Sequence, residues 1–346
     1  MSDTTALLLH WYDKEKRRLP WRAEGDTQPN PYHVWMSEIM LQQTTVATVK
    51  GYFDKFLTLW PTVDDLASAK QEDVLAAWAG LGYYARARNL YKCAGVVSGD
   101  LGGTFPDTYE GLKALPGIGD YTAAAIAAIA FGRSDAPVVD GNVERFITRL
   151  NRIETELPQA KKEIKQVTKT LTPTKRPGDF AQAMMDLGAT ICTPKNPKCL
   201  LCPVHKNCHA HKAGDAETYP RKAPKKKKPT RRSLAFAAIH DGAIYLERRP
   251  NSGLLGGMLG LPHTPWTERE DMPRLDQSTD HLPAAGSWRQ LPEISKHTFT
   301  HFYLETIVYK SYLNHKINTE HGEWVNLSDL KSAGLPTVFK KMTDLI

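Results

Sequence analysis

The chain has 346 residues, of which 41% are hydrophobic and 24% charged, a composition that predicts an ordinary globular protein of two or three domains. Its formal charge of +7 is uneven: residues 221–232 carry eight Lys or Arg and no acid, whereas residues 1–220 hold 26 basic and 25 acidic side chains. Charge alone therefore supports nucleic-acid binding only weakly. The sequence has neither a basic flank at its start nor a long apolar run, so we expect no signal peptide, no membrane span and a cytoplasmic location.

Two helices are predicted at the start, over residues 4–20 and 32–45, with a loop rich in Gly, Pro and Asn between them. On the second helix Glu38 would share a face with Val34, Leu41 and Thr45, in largely apolar surroundings. A carboxyl group in apolar surroundings is costly to ionise, so its pKa rises and it can serve as a general acid near neutral pH. The alternative is an amphipathic helix with a solvated glutamate.

Further helices are predicted around residues 46–57, 64–69, 71–79 and 85–98. The loop between the last two carries Leu81 and Tyr83, each beside a glycine, and Arg86 follows it. Apolar and aromatic side chains on such a loop could wedge between base pairs, with the arginine neutralising a phosphate. Buried tyrosines at a corner between two helices are the alternative.

A glycine-containing turn within residues 115–122 is predicted to open into an Ala-rich helix that ends at Gly132. Gly117 and Gly119 would leave the N–H groups of the helix start accessible to a phosphate oxygen. Asp140 lies in a second turn, just before another helical segment. The alternative interpretation is a plain pair of helices with an N-capping aspartate.

The helical pattern continues to residue 190, with a break at 172–179, and no segment before residue 220 alternates like a strand. This part of the chain is therefore predicted to be all-α. Four cysteines follow within a short loop: Cys192, Cys199, Cys202 and Cys208. Four thiolates so close together could hold a 4Fe–4S cluster or a Zn²⁺ ion, and we favour the cluster because zinc ribbons use two separated Cys-x2-Cys pairs.

After the basic segment 221–232 the period of the pattern changes to two, which predicts a separate α+β domain. Its elements are predicted to be a hairpin with an Asp-Gly turn (234–239 and 243–248), a Gly-rich loop (253–262), strands at 297–313 and 322–325, and a helix at 336–345.

Together these motifs resemble the helix-hairpin-helix DNA glycosylases and, among them, the adenine DNA glycosylases of the MutY family. The resemblance covers nearly the whole chain and is carried by residues 19–22, 35–44, 80–84 and 139–142, the hairpin, the four cysteines and the C-terminal part. It implies an all-α glycosylase domain over residues 1–220, with its hairpin at 112–130 and an iron–sulfur loop at 192–208. A basic linker (221–232) and a Nudix-like lesion-recognition domain (233–346) would follow.

The resemblance further implies a monomeric enzyme, located at the nucleoid, that hydrolyses adenine from duplex DNA where it lies opposite 8-oxoguanine or guanine. Glu38 would be the acid, Asp140 the group that stabilises the sugar cation, and Tyr121 and Asn142 would orient them. The remaining positions that match the family are Trp21, Arg22 and Leu41 framing the base, Gln43 and Tyr83 entering the duplex beside Thr44 and Leu81, Asp186 near the base pocket, and Phe299, Thr300 and His301 against the lesion. Family members often carry serine where Thr300 stands.

Three other functions would each account for part of the sequence. Endonuclease III-type enzymes, which act on oxidised pyrimidines with a lyase step, carry a lysine where Tyr121 stands, and a tyrosine cannot form an imine. A Nudix hydrolase would need a Glu-rich Mg²⁺ box, which residues 253–290 lack. A non-catalytic iron–sulfur protein that senses redox state would have no use for Glu38 and Asp140.

Overall fold

A computed structural model of the chain describes residues 3–25, 27–224, 227–250, 253–317 and 321–346. The chain divides into two compact units, Met1–Pro224 and Lys225–Ile346. The first is helical and the second is built on a mixed sheet, as predicted. Within the described ranges, no helix is both long and apolar enough to cross a membrane.

The first unit consists of short helices joined by turns, and several of them begin at a capping side chain or end at a glycine. Their bounds are α1 (Asp3–Glu15), α2 (Pro31–Leu41), α3 (Val46–Leu59), α4 (Val63–Ser68), α5 (Gln71–Ala77), α6 (Ala85–Gly99), α7 (Tyr109–Lys113), α8 (Asp120–Phe131), α9 (Gly141–Asn151), α10 (Lys161–Leu171), α11 (Pro177–Thr190) and α12 (His209–Lys212). One apolar cluster joins α1 to α9, α10 and α11, so the N-terminal helix packs with the part that carries the cysteine loop.

Two predicted helices end earlier than expected, and tertiary hydrogen bonds explain the first. Helix α1 stops at Glu15 rather than at Pro20 because the next residues turn towards a buried carboxylate, to which the Arg17 backbone N–H donates at 3.0 Å. Helix α2 stops at Leu41 rather than at residue 45, since Gln43 is left-handed (φ 57°). Thr45 therefore does not share the face of Glu38; its hydroxyl instead accepts from Thr48 N–H and caps α3.

The turn between α7 and α8 needs glycine at one of its two predicted positions. Gly117 has φ +75°, and a Cβ there would lie 2.5 Å from the Cβ of Asn89 on α6. Gly119 is extended and has open space around it. Gly132 ends α8 in the left-handed conformation, as predicted.

The second unit holds a sheet in the order β3-β2-β1-β6-β5, in which β4 also pairs with β1 and β7 with β2. The bounds are β1 (Thr230–His240), β2 (Ala243–Arg248), β3 (Leu259–Gly260), β4 (Thr267–Glu268), β5 (Arg289–Thr298), β6 (Tyr303–Tyr312) and β7 (Gly322–Asn326), with a last helix, α13 (Thr337–Thr343). The Asp241-Gly242 turn joins β1 to β2, with φ 45° and 72°, as predicted. Phe339 of α13 packs on the sheet in the core of this unit.

Both ends of the predicted linker, residues 221–232, belong to the neighbouring units, so the connection between the units is shorter than predicted. Strand β1 begins at Thr230 and pairs with β6 from that residue, because the parallel register continues beyond the apolar stretch. At the other end, the carbonyl of Arg221 accepts from Leu157 N–H at 2.9 Å within the first unit. Its guanidinium lies over the ring of Tyr219.

Candidate active site

A cavity of about 710 Å³ lies in the first unit between α2, α8, α9 and α11 and the loops on either side of α2. Many of the predicted site residues form its wall: Trp21, Arg22, Glu38, Leu41, Gln43, Thr44, Tyr121, Asp140 and Asn142. A cavity of this size with a few convergent polar groups is the usual form of a ligand site. Glu38 and Asp140 therefore face one space, although they lie in distant parts of the sequence.

Glu38 lies on α2 with only 6% of its surface exposed, so the alternative of a solvated glutamate is wrong. The Tyr121 hydroxyl on α8 donates a hydrogen bond to Glu38 Oε2 at 2.7 Å. Burial is the main reason why the pKa of Glu38 rises to about 7; the charge of Asp140 also raises it, whereas the Tyr121 hydrogen bond and the charge of Arg22 lower it. A carboxyl group with this pKa can carry a proton at neutral pH and release it.

Asp140 is the N-cap of α9, so the capping interpretation is correct and the residue lines the cavity as well. Its Oδ1 accepts from the backbone N–H groups of Asn142 (2.9 Å) and Val143 (2.8 Å), and its Oδ2 accepts from Asn142 Nδ2 (2.8 Å). Three donors and the positive end of the helix dipole fix a carboxylate in one orientation. The arrangement suits a negative charge held in place beside a developing cation.

Asn142 is in turn held by Arg145, a residue that the sequence reasoning missed. Arg145 Nη2 donates to Asn142 Oδ1 at 2.9 Å and to Gly188 O at 2.5 Å, while its Nε donates to Cys192 O at 2.7 Å. The i,i+3 spacing of Asn142 and Arg145 on a helix was a signal that could have identified the pair. A chain of hydrogen bonds therefore runs from Asp140 to the cysteine loop.

Asp186, predicted to lie near the base pocket, is fully buried and is not itself part of the cavity wall. Arg22 donates hydrogen bonds to both of its oxygens, from Nη1 to Oδ2 and from Nη2 to Oδ1, at 2.7 Å each. Arg17 Nε donates to Oδ1 at 2.6 Å. Burial alone would raise the pKa of Asp186, but the hydrogen bond and charge of Arg22 outweigh it, so the pKa lies below its usual value. Asp186 thus acts through the arginines, both of which line the cavity; no sequence signal marked Arg17.

The loop before α6 presents one of its two predicted wedge residues. Tyr83 is 51% exposed and left-handed (φ 50°), whereas Leu81 is only 5% exposed and packs inward, which corrects its prediction as a loop tip. The tyrosine buried at this corner is Tyr84. Arg86, predicted to neutralise phosphate, instead donates to five acceptors within the protein, among them Leu81 O and Gly82 O.

The turn between α7 and α8 lies outside the cavity wall, so Gly117 and Gly119 do not contact the site. Asp120 opens α8 there and forms ion pairs with Lys113 (2.7 Å) and Lys165 (3.2 Å). The helix start therefore carries two ammonium groups and one carboxylate, and the excess positive charge suits an anionic ligand at the surface.

The four clustered cysteines line one small cavity together with Arg149, His205 and other residues. Arg149 Nη1 lies 3.3 Å from Cys192 Sγ and also donates to Thr193 O at 2.8 Å. Their convergence fits four thiolate ligands to one group, with a cation beside them to offset the charge. As placed, no set of three or more His, Cys, Asp or Glu side chains in the described parts of the chain has the geometry for a single metal ion.

In the second unit the turn between β5 and β6 carries the three residues predicted to face a lesion. Thr300 and His301 are exposed there. Phe299 is partly buried, because its ring stacks on that of Phe302 (4.6 Å between centroids) and lies 5.4 Å from that of Trp266. The phenyl ring therefore anchors the turn, and the two polar side chains project from it.

Known proteins with related sequences identify the family. Residues 36–173 match the family described as HhH-GPD superfamily base excision DNA repair protein, and residues 234–345 match the NUDIX domain. The adenine DNA glycosylase of Homo sapiens is 37% identical to this chain, over 97% of the chain and 72% of that protein. The chain belongs to the adenine DNA glycosylase (MutY) family. The adenine DNA glycosylase of Buchnera aphidicola subsp. Acyrthosiphon pisum is 33% identical, over 98% of this chain and 96% of its own length.

Solved structures agree with this assignment at the level of the fold. A thermostable thymine-DNA glycosylase is 32% identical, with a TM-score of 0.55 over 60% of this chain and 95% of its own. Endonuclease III in a non-covalent complex with DNA is 22% identical, with a TM-score of 0.51 over 62% and 99% of the two chains. The helical fold of this family member is thus shared with a thymine-DNA glycosylase and with endonuclease III.

Proposed function

We propose that this protein removes adenine from duplex DNA where the base lies opposite 8-oxoguanine or guanine, and that it leaves an abasic site. The observation that carries the proposal is the pair of carboxyl groups on one cavity wall, Glu38 buried with a pKa near 7 and Asp140 held by three N–H donors. Membership of the adenine DNA glycosylase family supplies the base. To reach the cavity the nucleotide must leave the base stack.

In the proposed reaction the bond between the base and the sugar carbon breaks, and its electron pair leaves with adenine. Glu38 donates its proton to a ring nitrogen, so that the base departs neutral rather than as an anion. The sugar carbon is left cationic, and the fixed carboxylate of Asp140 stabilises it. Water then adds to that carbon while the Glu38 carboxylate takes up the proton, which restores the starting state. Two carboxyl groups with different environments serve glycosidases in the same pair of roles.

The chain is proposed to hydrolyse the bond without cutting the strand. Tyr121 occupies the position at which a Schiff-base enzyme has lysine, and burial raises its pKa well above the usual value, so it remains a neutral phenol. Among the described residues of the cavity wall, the lysine is Lys161, whose ammonium group lies 3.6 Å from Glu144. Because a phenol forms no imine, borohydride should trap no stoichiometric protein–DNA adduct; a stoichiometric adduct would contradict this part of the proposal, and its loss in Lys161→Gln would identify Lys161 as the amine.

A 4Fe–4S cluster is the group that the four cysteines are proposed to hold. Convergence of four thiols on one cavity and the cation of Arg149 beside Cys192 support it. Such a cluster would cross-link the loop that receives the Arg145 hydrogen bond and take no part in the proton transfers. Absorption in the blue part of the visible spectrum of the purified protein is expected; a colourless protein containing stoichiometric zinc would contradict it.

The second unit is proposed to read the strand opposite adenine. Thr300 and His301 are polar and exposed on an anchored turn, as a hydrogen-bonding reader of a base edge requires. The Glu-rich box of a Nudix hydrolase is missing from residues 253–290. Hydrolysis of an oxidised nucleotide by the Mg²⁺-loaded chain would contradict this assignment.

The deciding experiment uses duplexes that carry adenine opposite 8-oxoguanine, guanine, cytosine or thymine, followed by alkali to reveal abasic sites. Cleavage at adenine opposite 8-oxoguanine and guanine is expected, with little opposite thymine. The matched variant Asp140→Asn keeps the capping geometry but removes the charge, so activity should collapse while duplex binding is retained. Full activity of Asp140→Asn would refute the mechanism, and release of a base other than adenine would refute the substrate.

A further inference from the structure

Arg86, in the first turn of α6, forms hydrogen bonds to the end of α2 and to the loop between α5 and α6. Its Nη1 donates to the carbonyls of Ile39 (2.9 Å) and Met40 (2.8 Å), at the C-terminal end of α2. Its Nη2 donates to the carbonyls of Leu81 (3.1 Å) and Gly82 (3.2 Å). The carbonyls of a last helical turn have no partner within the helix, so a cation there is stabilising.

The same guanidinium also reaches the loop that follows α2. Arg86 Nη2 lies 3.2 Å from Thr44 Oγ1, and Thr44 neighbours Gln43 on the cavity wall. The rings of Trp78 and Tyr83 lie under the guanidinium, at 5.2 Å and 5.7 Å from its carbon. One side chain thus links residues 39–44 to residues 78–83.

Each of these loops ends in a strained tip. Gln43 (φ 57°) and Tyr83 (φ 50°) are left-handed residues other than glycine, a conformation that is unfavourable for side-chain-bearing residues and persists only where the surroundings hold it. Both side chains are exposed. Two exposed left-handed residues on segments that one guanidinium links indicate that the distance between Gln43 and Tyr83 is fixed by the protein.

We propose that Arg86 is a positioning residue, which sets the distance between the Gln43 and Tyr83 tips so that both enter the duplex around the extruded adenine. The inference rests on the proposed function and deepens it. Arg86 acts through the polypeptide, because the donors of its Nη1 and Nη2 are directed at protein acceptors rather than at phosphate. Arginine suits this role, since these two nitrogens of one planar group reach five acceptors, whereas an ammonium group has three donors and no fixed fork.

The test is Arg86→Lys, which keeps the charge but loses the fork. The measurements are single-turnover adenine removal from a duplex with 8-oxoguanine opposite adenine, and the fluorescence of 2-aminopurine in place of that adenine, which reports unstacking. We expect the rate to fall by about ten- to a hundredfold, because a misplacement of about 1 Å can cost that much. The fluorescence increase should fall in parallel, while the affinity for duplex DNA stays near the wild-type value.

Arg86→Gln and Lys92→Gln complete the design. Lys92 is an exposed cation on the same helix, and its removal should leave rate and fluorescence unchanged. If Arg86 instead bound a phosphate, the slope of log K for DNA binding against log salt concentration would become smaller by about 0.9 in Arg86→Gln. That drop, or wild-type rate and fluorescence in Arg86→Lys, would overturn the proposal; an unchanged slope with lost unstacking supports it.

Thr44→Val is the second probe if Arg86→Lys unfolds. It removes one acceptor of the guanidinium from a partly exposed position, so the fold should persist, and unstacking should fall in the same direction but less. Unchanged unstacking in Thr44→Val would count against the positioning role. The wild-type chain separates the two proposals: if it leaves adenine in place, the function fails, whereas equal wild-type and Arg86→Lys activity defeats only the inference about Arg86.

Discussion

Two carboxyl groups face the same cavity but have opposite surroundings. Glu38 is enclosed in α2 and has the Tyr121 hydroxyl as its hydrogen-bond donor, whereas Asp140 receives three N–H donors at the start of α9. Enclosure favours the protonated form of the Glu38 carboxyl group, whereas the three N–H donors hold the Asp140 carboxyl group in one orientation. The environments therefore assign the roles of acid and of fixed charge before any substrate binds.

The first prediction concerns pH. Because Glu38 must carry a proton before the bond breaks, and its pKa is raised to about 7, the single-turnover rate should fall about tenfold for each pH unit above that value. Glu38→Gln cannot donate a proton and should lose at least about a hundredfold in rate. Rates measured between pH 5.5 and 9 test both; a rate that climbs from pH 7 to 9 would contradict the assignment of the acid.

The second prediction separates Tyr121 from a simple packing role. Its hydrogen bond lowers the pKa of Glu38, so Tyr121→Phe should move the falling limb of the profile to higher pH by up to about one unit, while the maximal rate decreases. Tyr32→Phe is the matched control, since that hydroxyl is also buried but donates to Trp60 O. It should lower stability and leave the limb in place. A shift of the Tyr121→Phe limb to lower pH would be the contrary result.

At the scale of elements, α9 connects the cavity to the cysteine loop. Asp140 caps its start, and Arg145 and Arg149, one turn and two turns further on, both bind the loop that begins at Cys192. Helix α11 crosses α9 so closely that a Cβ on Gly188 would lie 2.5 Å from the Cβ of Asn142. A rigid helix thus fixes a carboxylate more precisely than a loop would.

The third prediction uses two glycines in helices. Gly178 of α11 lies against α8, where a Cβ would come within 2.6 Å of Ala128 O and 2.8 Å of Ile129 Cα, and the backbone cannot move aside. Gly178→Ala should therefore destabilise the fold by about 1–3 kcal/mol. Gly95→Ala on α6 meets no atom within 4 Å and should stabilise it by about 0.5–1 kcal/mol. Equal unfolding midpoints in denaturant for the two variants would show that the packing is looser than described.

The order of the elements could be predicted from the sequence because their starts and stops are local. Gly132 closes α8, and the Asp241-Gly242 turn joins two strands, each through its own backbone preference. The end of α2 could not be predicted, since it coincides with the left-handed backbone of Gln43, beside a threonine that contacts Arg86 from a distant part of the sequence. Strand β5 begins at Arg289 rather than near residue 297. This start could not be predicted, because an exposed edge strand shows no apolar alternation in its sequence.

The candidate site was less predictable than the fold for the same reason. The apolar pattern of its helix marks Glu38 as a candidate acid. Its position beside Asp140 could be expected only from the family resemblance and not from periodicity. Asp186 is predicted near the base pocket, but a sequence does not tell whether a carboxylate faces a ligand or another side chain of the protein. Distances such as the 2.7 Å between Asp186 and Arg22 decide this.

At the scale of the whole molecule, two units divide the proposed task. The helical unit contains the cavity with both carboxyl groups, and the sheet unit presents the turn with Thr300 and His301. The net charge is concentrated in residues 221–232, where the two units join. Removal of the base and recognition of the opposite strand should therefore be separable by mutation.

The fourth prediction tests that separation. Thr300→Ala removes an exposed hydroxyl from the β5–β6 turn and leaves its anchor, Phe299 on Phe302, intact. The rate on adenine opposite 8-oxoguanine should fall by about three- to tenfold, the worth of one hydrogen bond, while the rate opposite guanine is unchanged. Thr279→Ala, another exposed threonine of this unit, serves as the control and should alter neither rate. Loss of both rates in Thr300→Ala would mean that the turn supports binding in general, and an unchanged ratio would place lesion recognition elsewhere in the chain.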